Sequence, residues 1–380
     1  MDFKFSDAQL MLQKVAKEFA ENEVKPLAEI IDKEHRHPAE TFKKMAIVGF
    51  NGIGTPVEYG GSGGTDVEKV IIVTEIAKKC ASTAAILSIH TIFAQAIMKF
   101  GTKEQKEKYL PLMASGGWLG GFALTEPNAG SDAAAAKMTA IFDENTNEYI
   151  LNGTKCFISG GSNANALVIF ALTDPSKGLK GMSGIIVEKG TPGFTVGKVE
   201  DKMGLNGSET AELIFENCRV PKENLLGKEG RGFGMAMTCL DGARIGIAAQ
   251  AVGIAEGALD ESIKYVHERV QFGKPIAALQ GIQWYIADMG TSIEAARWLV
   301  FYAAYLKSTG QNHTKIAAMA KYNASIAARE VTNLGLQIHG GYGYMRDYPL
   351  ERMYRDAKIT EIYEGTSEIH KLVISRAILS

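Results

Sequence analysis

Thiol and metal chemistry are the first things this sequence has little of. Its 380 residues include four cysteines, Cys80, Cys156, Cys218 and Cys239, widely spaced and without a Cys-x-x-Cys pair. That spacing argues against a disulfide framework and against structural zinc. Seven histidines show no His-x-x-x-His spacing, so no metal is expected. The formal net charge is only -2, and no polybasic run is present. Neither nucleic acid nor an anionic membrane surface is therefore an expected partner. No apolar run approaches the roughly 18 residues that suggest a membrane span. The opening stretch MDFKFSDAQLMLQKVAKEF lacks the basic and apolar blocks of a secretory signal. It is also too acidic and too serine-poor for a transit peptide. The expectation is a reduced, cytoplasmic protein without metal.

What is present is an ordinary globular composition, 46% hydrophobic and 22% charged, long enough for two or three domains. Up to about residue 115 the pattern is helical. Ser6 to Gln9 fits a capping box, and Leu12, Val15, Ala16 and Phe19 share a helical face. The run from Asp66 to Gly101 holds two helices, the second stopped by Gly101. YGGSGG, residues 59 to 64, reads as a loop between helices, since no phosphate-binding Gly-x-x-x-x-Gly-Lys-Ser/Thr accompanies it. From about Trp118 to Pro221 the period changes to two. Asn152-Gly153 between β-rich flanks predicts a hairpin turn, and the whole segment predicts a small antiparallel barrel or sandwich. After Pro221 helical periodicity returns, with one helix of more than 30 residues before QFGKP and two more over about 279–308 and 313–338. The fold class is α+β, with expected domains 1–115 (helical), 116–222 (β) and 223–380 (helical). Long helices that are apolar on several sides suit packing against other subunits.

Single motifs leave alternatives open. Asp241 and Arg244, at i and i+3, suit a surface ion pair of little energy. Arg269 to Gly273 suits a helix C-terminus with a basic last turn and a glycine cap. The glycines of HGGYGY, 339 to 344, either permit positive φ or let backbone press against a flat ligand. FALTEPNAGSD, Phe122 to Asp132, is either a polar loop or a cluster of short side chains and free N–H groups able to hold a phosphate or heterocycle. EIYEGTSEIH, 361 to 370, places a carboxylate, a glycine and two hydroxyls inside a helix-rich tail.

Together, FALTEPNAGSD, CFISGG, LDGARIG, RVQFG with the Leu279-Gln280 that follows, QIHGGYGY and IYEGTSEI have the order and spacing of the acyl-CoA dehydrogenase family. The chain resembles that family over essentially its whole length, most closely its short-chain, butyryl-type members. The resemblance implies an N-terminal helical domain, a middle antiparallel β-barrel or sandwich and a C-terminal four-helix bundle. It implies one FAD per subunit, acyl-CoA as substrate, electron-transferring flavoprotein as electron partner and a homotetramer built as a dimer of dimers. The residues implied to line FAD are Phe122, Ala123, Leu124, Thr125, Gly130 and Ser131, then Phe157, Ile158 and Ser159, and finally Thr366, Ser367 and Glu368. Arg269, Phe272 and Gln280 would meet the cofactor from a neighbouring subunit, with Gln337, Ile338, His339, Gly340 and Gly341. Ser131, Asp241, Gly242, Ala243, Arg244 and Gly365 would contact acyl-CoA. Phe157 departs from the tryptophan of many relatives, keeping an aromatic face but losing the indole N–H.

The same resemblance implies removal of an α-proton and a β-hydride from an acyl thioester, giving a trans-2-enoyl-CoA. That chemistry needs a base, donors to the developing enolate and a hydride acceptor. Glu364 is the implied base, and its own N–H an implied donor to the thioester oxygen. Some relatives carry the base just before the arginine of the long helix. Here that position is Ala243, which leaves Glu364 and weakens a branched-chain reading. Two alternatives are an acyl-CoA oxidase, usually a longer chain, and a non-catalytic flavin- or CoA-binding interaction protein.

Overall fold

A computed structural model describes residues 4–380. Six helices open the chain: α1 (Asp7–Phe19), α2 (Lys25–Glu34), α3 (Ala39–Ile47), α4 (Asp66–Ala77), α5 (Ala81–Phe100) and α6 (Lys103–Ala114). Three of them start on reciprocal capping boxes, Ser6 with Gln9, Thr65 with Glu68 and Thr102 with Gln105, which satisfy the first orphan N–H groups. On α1 the buried face holds Ala16 and Phe19, while Val15, expected there, is exposed. A five-residue π-helical turn, Ala20–Val24, rotates the chain between α1 and α2.

α5 corrects one expectation. Among the described residues it is the one helix long and apolar enough to cross a membrane by length and composition. Yet 89% of its apolar window is buried inside the fold, so its apolar faces are satisfied by protein. Isolated polar residues such as His90 and Gln95 interrupt the apolar run without making it amphipathic.

Eight strands follow: β1 (Gly120–Ala123), β2 (Thr139–Asp143), β3 (Glu148–Ser159), β4 (Ala166–Leu172), β5 (Met182–Glu188), β6 (Phe194–Val199), β7 (Thr210–Pro221) and β8 (Leu225–Leu226). The sheet runs β6-β7-β3-β2-β4-β5-β8, with β1 beside β4. Two pairings are parallel, β1 with β4 and β2 with β4, so the sheet is mixed where an antiparallel one was expected. The expected Asn152-Gly153 hairpin is absent too. Both residues lie inside β3, and the turn from β2 to β3 sits at 144–147. There the Asp143 side chain accepts from Asn145 N at 3.0 Å, and Asn147 takes φ 58°. Gly153 marks a bulge whose φ of 142° keeps the backbone tight against Met138.

The C-terminal region consists of α7 (Gly232–Glu268), a two-stranded ribbon β9 (Val270–Gln271) and β10 (Lys274–Pro275), α8 (Gln280–Ser308), α9 (Thr314–His339), α10 (Leu350–Ile359) and α11 (Ser367–Leu379). Gly273 therefore belongs to the ribbon turn, where it has φ 75°. α7 is the spine, packed against α4, α5, α8 and α9. At Gly253 the approach is close, since a Cβ would lie 2.5 Å from Thr74 O on α4.

The β region is tied to α10 by Asp356, which accepts from Leu205 N at 2.6 Å while 3% exposed. Burial pushes its acid up to about 6. Between about pH 4 and 6 the unfolded chain ionises this group while the folded chain keeps the proton, so stability falls as pH rises through that window. Asp356→Asn removes the linkage but keeps an acceptor. The variant should gain on the wild type by up to about 3 kcal/mol between pH 4 and 7. A stability difference that stays constant with pH would refute this.

Candidate active site

The tail motif is a strained turn. Between α10 and α11, Glu364 has φ 55° and Gly365 φ 98°. A left-handed glutamate is uncommon, and such residues persist only where the surroundings hold them. Several contacts do so. Lys321 Nζ donates to Gly365 O at 2.7 Å, Ser367 N donates to Glu361 O at 2.9 Å, and Thr366 caps α11 by accepting from Ile369 N at 3.4 Å. A Cβ on Gly365 would also come within 3.2 Å of the His370 ring. The turn aims the Glu364 side chain inward. Although the residue as a whole is half-buried, its Oε2 is enclosed and without a hydrogen-bond partner among the described residues.

Burial raises the Glu364 carboxyl above its ordinary range, while Arg244, Lys321 and Lys69 pull it down. All three cations are themselves enclosed, Lys321 at 0%, Lys69 at 4% and Arg244 at 6% exposure. Desolvation pushes Lys321 to about 7 and Lys69 to about 8, with Glu364 opposing both shifts. Burial, helped by Lys321 and Arg244, drives His370 down to about 3, so its ring is neutral. Arg244 pairs with Asp241, which also accepts from Thr314 Oγ1 at 2.8 Å. The pair is thus a buried device on α7 facing the carboxylate, where a surface ion pair was the default. Ala243 and Gly242 are buried on the same helix.

A second group adjoins this chamber through the core, since Leu124 and Ala129 share a cluster with Met235, Cys239 and Ala243 of α7. The loop after β1 is held from β3: Cys156 N donates to Thr125 O at 3.0 Å, and Lys155 Nζ reaches Leu124 O and Glu126 Oε1, each at 2.8 Å. Phe122 turns its ring onto Phe170, 4.9 Å between centroids, and Ala123 and Leu124 are buried. Thr125 is half-buried; Gly130 and Ser131 are exposed. On β3 a register shift between Lys155 and Ile158 leaves Phe157 at φ 56° and 65% exposed. Ile158 points into the core and Ser159 is half-buried.

A third group lies at the far end of α7. Tyr265, Arg269, Phe272, Ile276, Leu279 and the 338–342 turn line a pocket of about 570 Å³. The Arg269 guanidinium stands 5.5 Å from the Tyr342 ring, and Phe272, at φ 52°, is 89% exposed. Gly340 and Gly341 are bare, with nothing within 4 Å of an added Cβ. Gln280 and Gln337 are exposed nearby, whereas Ile338 is buried and His339 stacks on Tyr265 at 4.0 Å. Ser367 is buried and Glu368 exposed at the start of α11. Arg244 and Arg269 are 25 residues apart on and just past one helix, about 37 Å by helical rise. Within one chain the third group is therefore remote from Glu364.

Lys69, Lys321 and the Lys155–Glu126 pair were not singled out in the sequence. Their only signal is a lysine set in an apolar stretch, as in VEKVIIV and AAMAKYN.

The arrangement combines an enclosed acid–base carboxylate, an exposed aromatic on a strained strand and an open glycine-walled cradle, which suits a flavin-dependent oxidoreductase. Family models for the N-terminal, middle and C-terminal domains of acyl-CoA dehydrogenases match residues 6–117, 121–218 and 230–379. The chain belongs to the acyl-CoA dehydrogenase family, and its cofactor is FAD. It is 71% identical to acryloyl-CoA reductase (NADH) of Anaerotignum propionicum, over 100% of this chain and 96% of that one. A chain solved in work on the electron transferring flavoprotein of Acidaminococcus fermentans and flavin-based electron bifurcation matches with TM-score 0.98 and 52% identity, covering 100% of both chains. Butyryl-CoA dehydrogenase of Megasphaera elsdenii matches with TM-score 0.97 and 46% identity, again over 100% of both.

Proposed function

We propose that this enzyme interconverts a short-chain acyl-CoA, with butyryl-CoA as the reference substrate, and its trans-2-enoyl-CoA, exchanging electrons with an electron-transferring flavoprotein in the cytoplasm. The observation that carries the reading is Glu364: an enclosed carboxyl on a strained turn, facing cations, with alanine at the alternative position 243. Glu364 takes the proton from the substrate's Cα in the oxidative direction and returns it in the reductive one. Its backbone N–H donates to the thioester oxygen, and the bare Gly365 lets the thioester approach. Arg244 and Asp241 hold the acyl-CoA end of the chamber. FAD, when bound, supplies the two-electron acceptor or donor at the substrate's Cβ.

The residues present fit that cofactor. The 122–131 loop, Phe157 to Ser159 and the 366–368 cap border one end of its site. Arg269, Phe272, Gln280 and the Gln337–Gly341 turn offer a cation, an aromatic and open backbone for the other end. Arg269 stands about 37 Å by helical rise from Arg244, and so away from the Glu364 chamber of its own chain, which supports the second set serving a neighbouring copy. This supports an assembly of at least two subunits, and we propose a homotetramer made of two such pairs. The four buried free thiols suit a reducing compartment.

The name of the Anaerotignum relative favours a second reading of direction, in which the physiological flow is reduction of a three-carbon enoyl-CoA. One experiment tests the core proposal. FAD-loaded enzyme titrated anaerobically with butyryl-CoA should lose flavin absorbance, and crotonyl-CoA should restore it to photoreduced enzyme. Unchanged spectra with every acyl-CoA and enoyl-CoA of three to six carbons would overturn the function.

A further inference from the structure

Two buried polar groups pack against α7 close to this site, and one of them, Lys69, enters the acid–base chemistry only through the pull of its charge on Glu364. Lys69 of α4 is 4% exposed and Ser88 of α5 is 2% exposed. Neither Lys69 Nζ nor Ser88 Oγ has a hydrogen-bond partner among the described residues. They face the same stretch of α7. A methyl built on Gly246 would meet Ser88 Oγ at 3.5 Å and Lys69 Cε at 3.6 Å. The carboxylate of the lysine's own helix that attracts it, Asp66, is already paired with Lys307 at 2.8 Å. Lys307 in turn adds repulsion, while Asp66 and Glu364 attract. Gly246 stands only two residues past Arg244, about 3 Å of helical rise.

We propose that Lys69, with Ser88, forms a polar floor to the acyl pocket and is the residue that restricts the enzyme to short acyl chains. This rests on the reading of Glu364 as the base, and it takes the acyl chain to run from that carboxylate along α7 toward Gly246, where Lys69 and Ser88 meet the helix. An ammonium needs acceptors, and a buried one left unsatisfied is costly. A two- to four-carbon acyl group stops short of Lys69 and leaves room for water to solvate it. A longer alkyl tail displaces that water and offers the ammonium only methylene groups in exchange. The ordinary gain from burying each extra methylene is thereby reversed at the depth of Lys69. The site thus excludes medium chains by polarity. The lowered lysine pKa noted above is in keeping with an ammonium short of partners.

The test compares wild type with Lys69→Met, which keeps length and removes charge. A second variant, Ser88→Ala, removes the smaller half of the floor. One readout is binding of the unreactive thioethers S-propyl-, S-butyl-, S-hexyl- and S-octyl-CoA to FAD-loaded enzyme by calorimetry. The other is anaerobic flavin bleaching by the matching acyl-CoA esters. In wild type, affinity should peak at three or four carbons and fall for eight. In Lys69→Met the ratio of octyl to butyl affinity should rise at least 10-fold, with the bleaching ratio following, and in Ser88→Ala it should rise less. An unchanged ratio in a Lys69→Met protein that holds FAD would overturn the polar floor. Wild-type enzyme that binds the thioethers but bleaches with none of the esters would overturn the function and leave the floor standing on the binding ratio.

Discussion

Glu364→Gln should retain FAD and bind acyl-CoA, yet lose at least roughly 10³-fold in the rate of flavin reduction by butyryl-CoA. The amide keeps the size of the side chain and its place in the turn, but it cannot accept the α-proton. The alternative position for a base on α7, residue 243, is a buried alanine. The glutamine should also be easy to fold around, since it removes a buried charge and Oε2 has no hydrogen-bond partner to lose among the described residues. Stopped-flow bleaching separates the proposed role from a merely structural one: binding persists while the reduction step slows. Near-wild-type bleaching in the variant would remove Glu364 from the mechanism. The wild type should add a pH signature. Burial raises the Glu364 pKa, so the base form appears later than for a free glutamate, and the reduction rate of the wild type should climb with pH through that raised value. Lys321→Met should shift this limb upward, because Lys321 is one of the cations that pulls the carboxyl down.

Helices, their caps and the split into helical and β regions were legible because they rest on local patterns. The capping box at Ser6 was read from residues three apart, and those at Thr65 and Thr102, which the structure adds, have the same spacing. The errors came where partners are distant. Asn152-Gly153 looks like a turn in any window of ten residues, but β7 pairs along β3 on both sides of it, and Gly153 serves a bulge. The parallel pairing of β1 with β4 joins Gly120 to Ala166, 46 residues away, and no short pattern announces it. In the site, the glutamate and its flanking glycine were legible through the family motif, and the motif also named Arg244. What it did not convey is that Arg244, Lys321 and Lys69 come from three different helices to one carboxylate. A lone lysine in an apolar stretch has no period of its own. Only the packing of α4, α7 and α9 around the turn gives it a meaning.

The second large effect concerns the loop that carries Thr125. Lys155 is wholly buried on β3 and holds two groups of that loop, the carbonyl of Leu124 and the carboxylate of Glu126, both at 2.8 Å. Glu126 in turn accepts from Lys137 N at 2.7 Å and Met138 N at 3.1 Å, so one ion pair fixes both ends of the 125–137 segment. Burial lowers the Lys155 pKa and Glu126 opposes that shift, which is the signature of a charge that depends on its partner. Lys155→Met fills the same volume but leaves Glu126 buried beside a thioether. Removing one partner of a buried pair costs about 3–5 kcal/mol. The variant should therefore unfold at lower denaturant, and it should hold FAD less tightly, because the loop proposed to face the flavin loses its brace. Lys155→Met/Glu126→Gln should recover part of the stability, since the neutral amide no longer needs a cation and keeps an acceptor for Lys137 N and Met138 N. It should not recover the anchoring of Leu124 O. The measurements are chemical denaturation of the apoprotein and FAD dissociation followed by flavin fluorescence. If Lys155→Met matched the wild type in both, the ion pair would be an ornament of the core and the loop would owe its shape to the strand contacts at Cys156 alone.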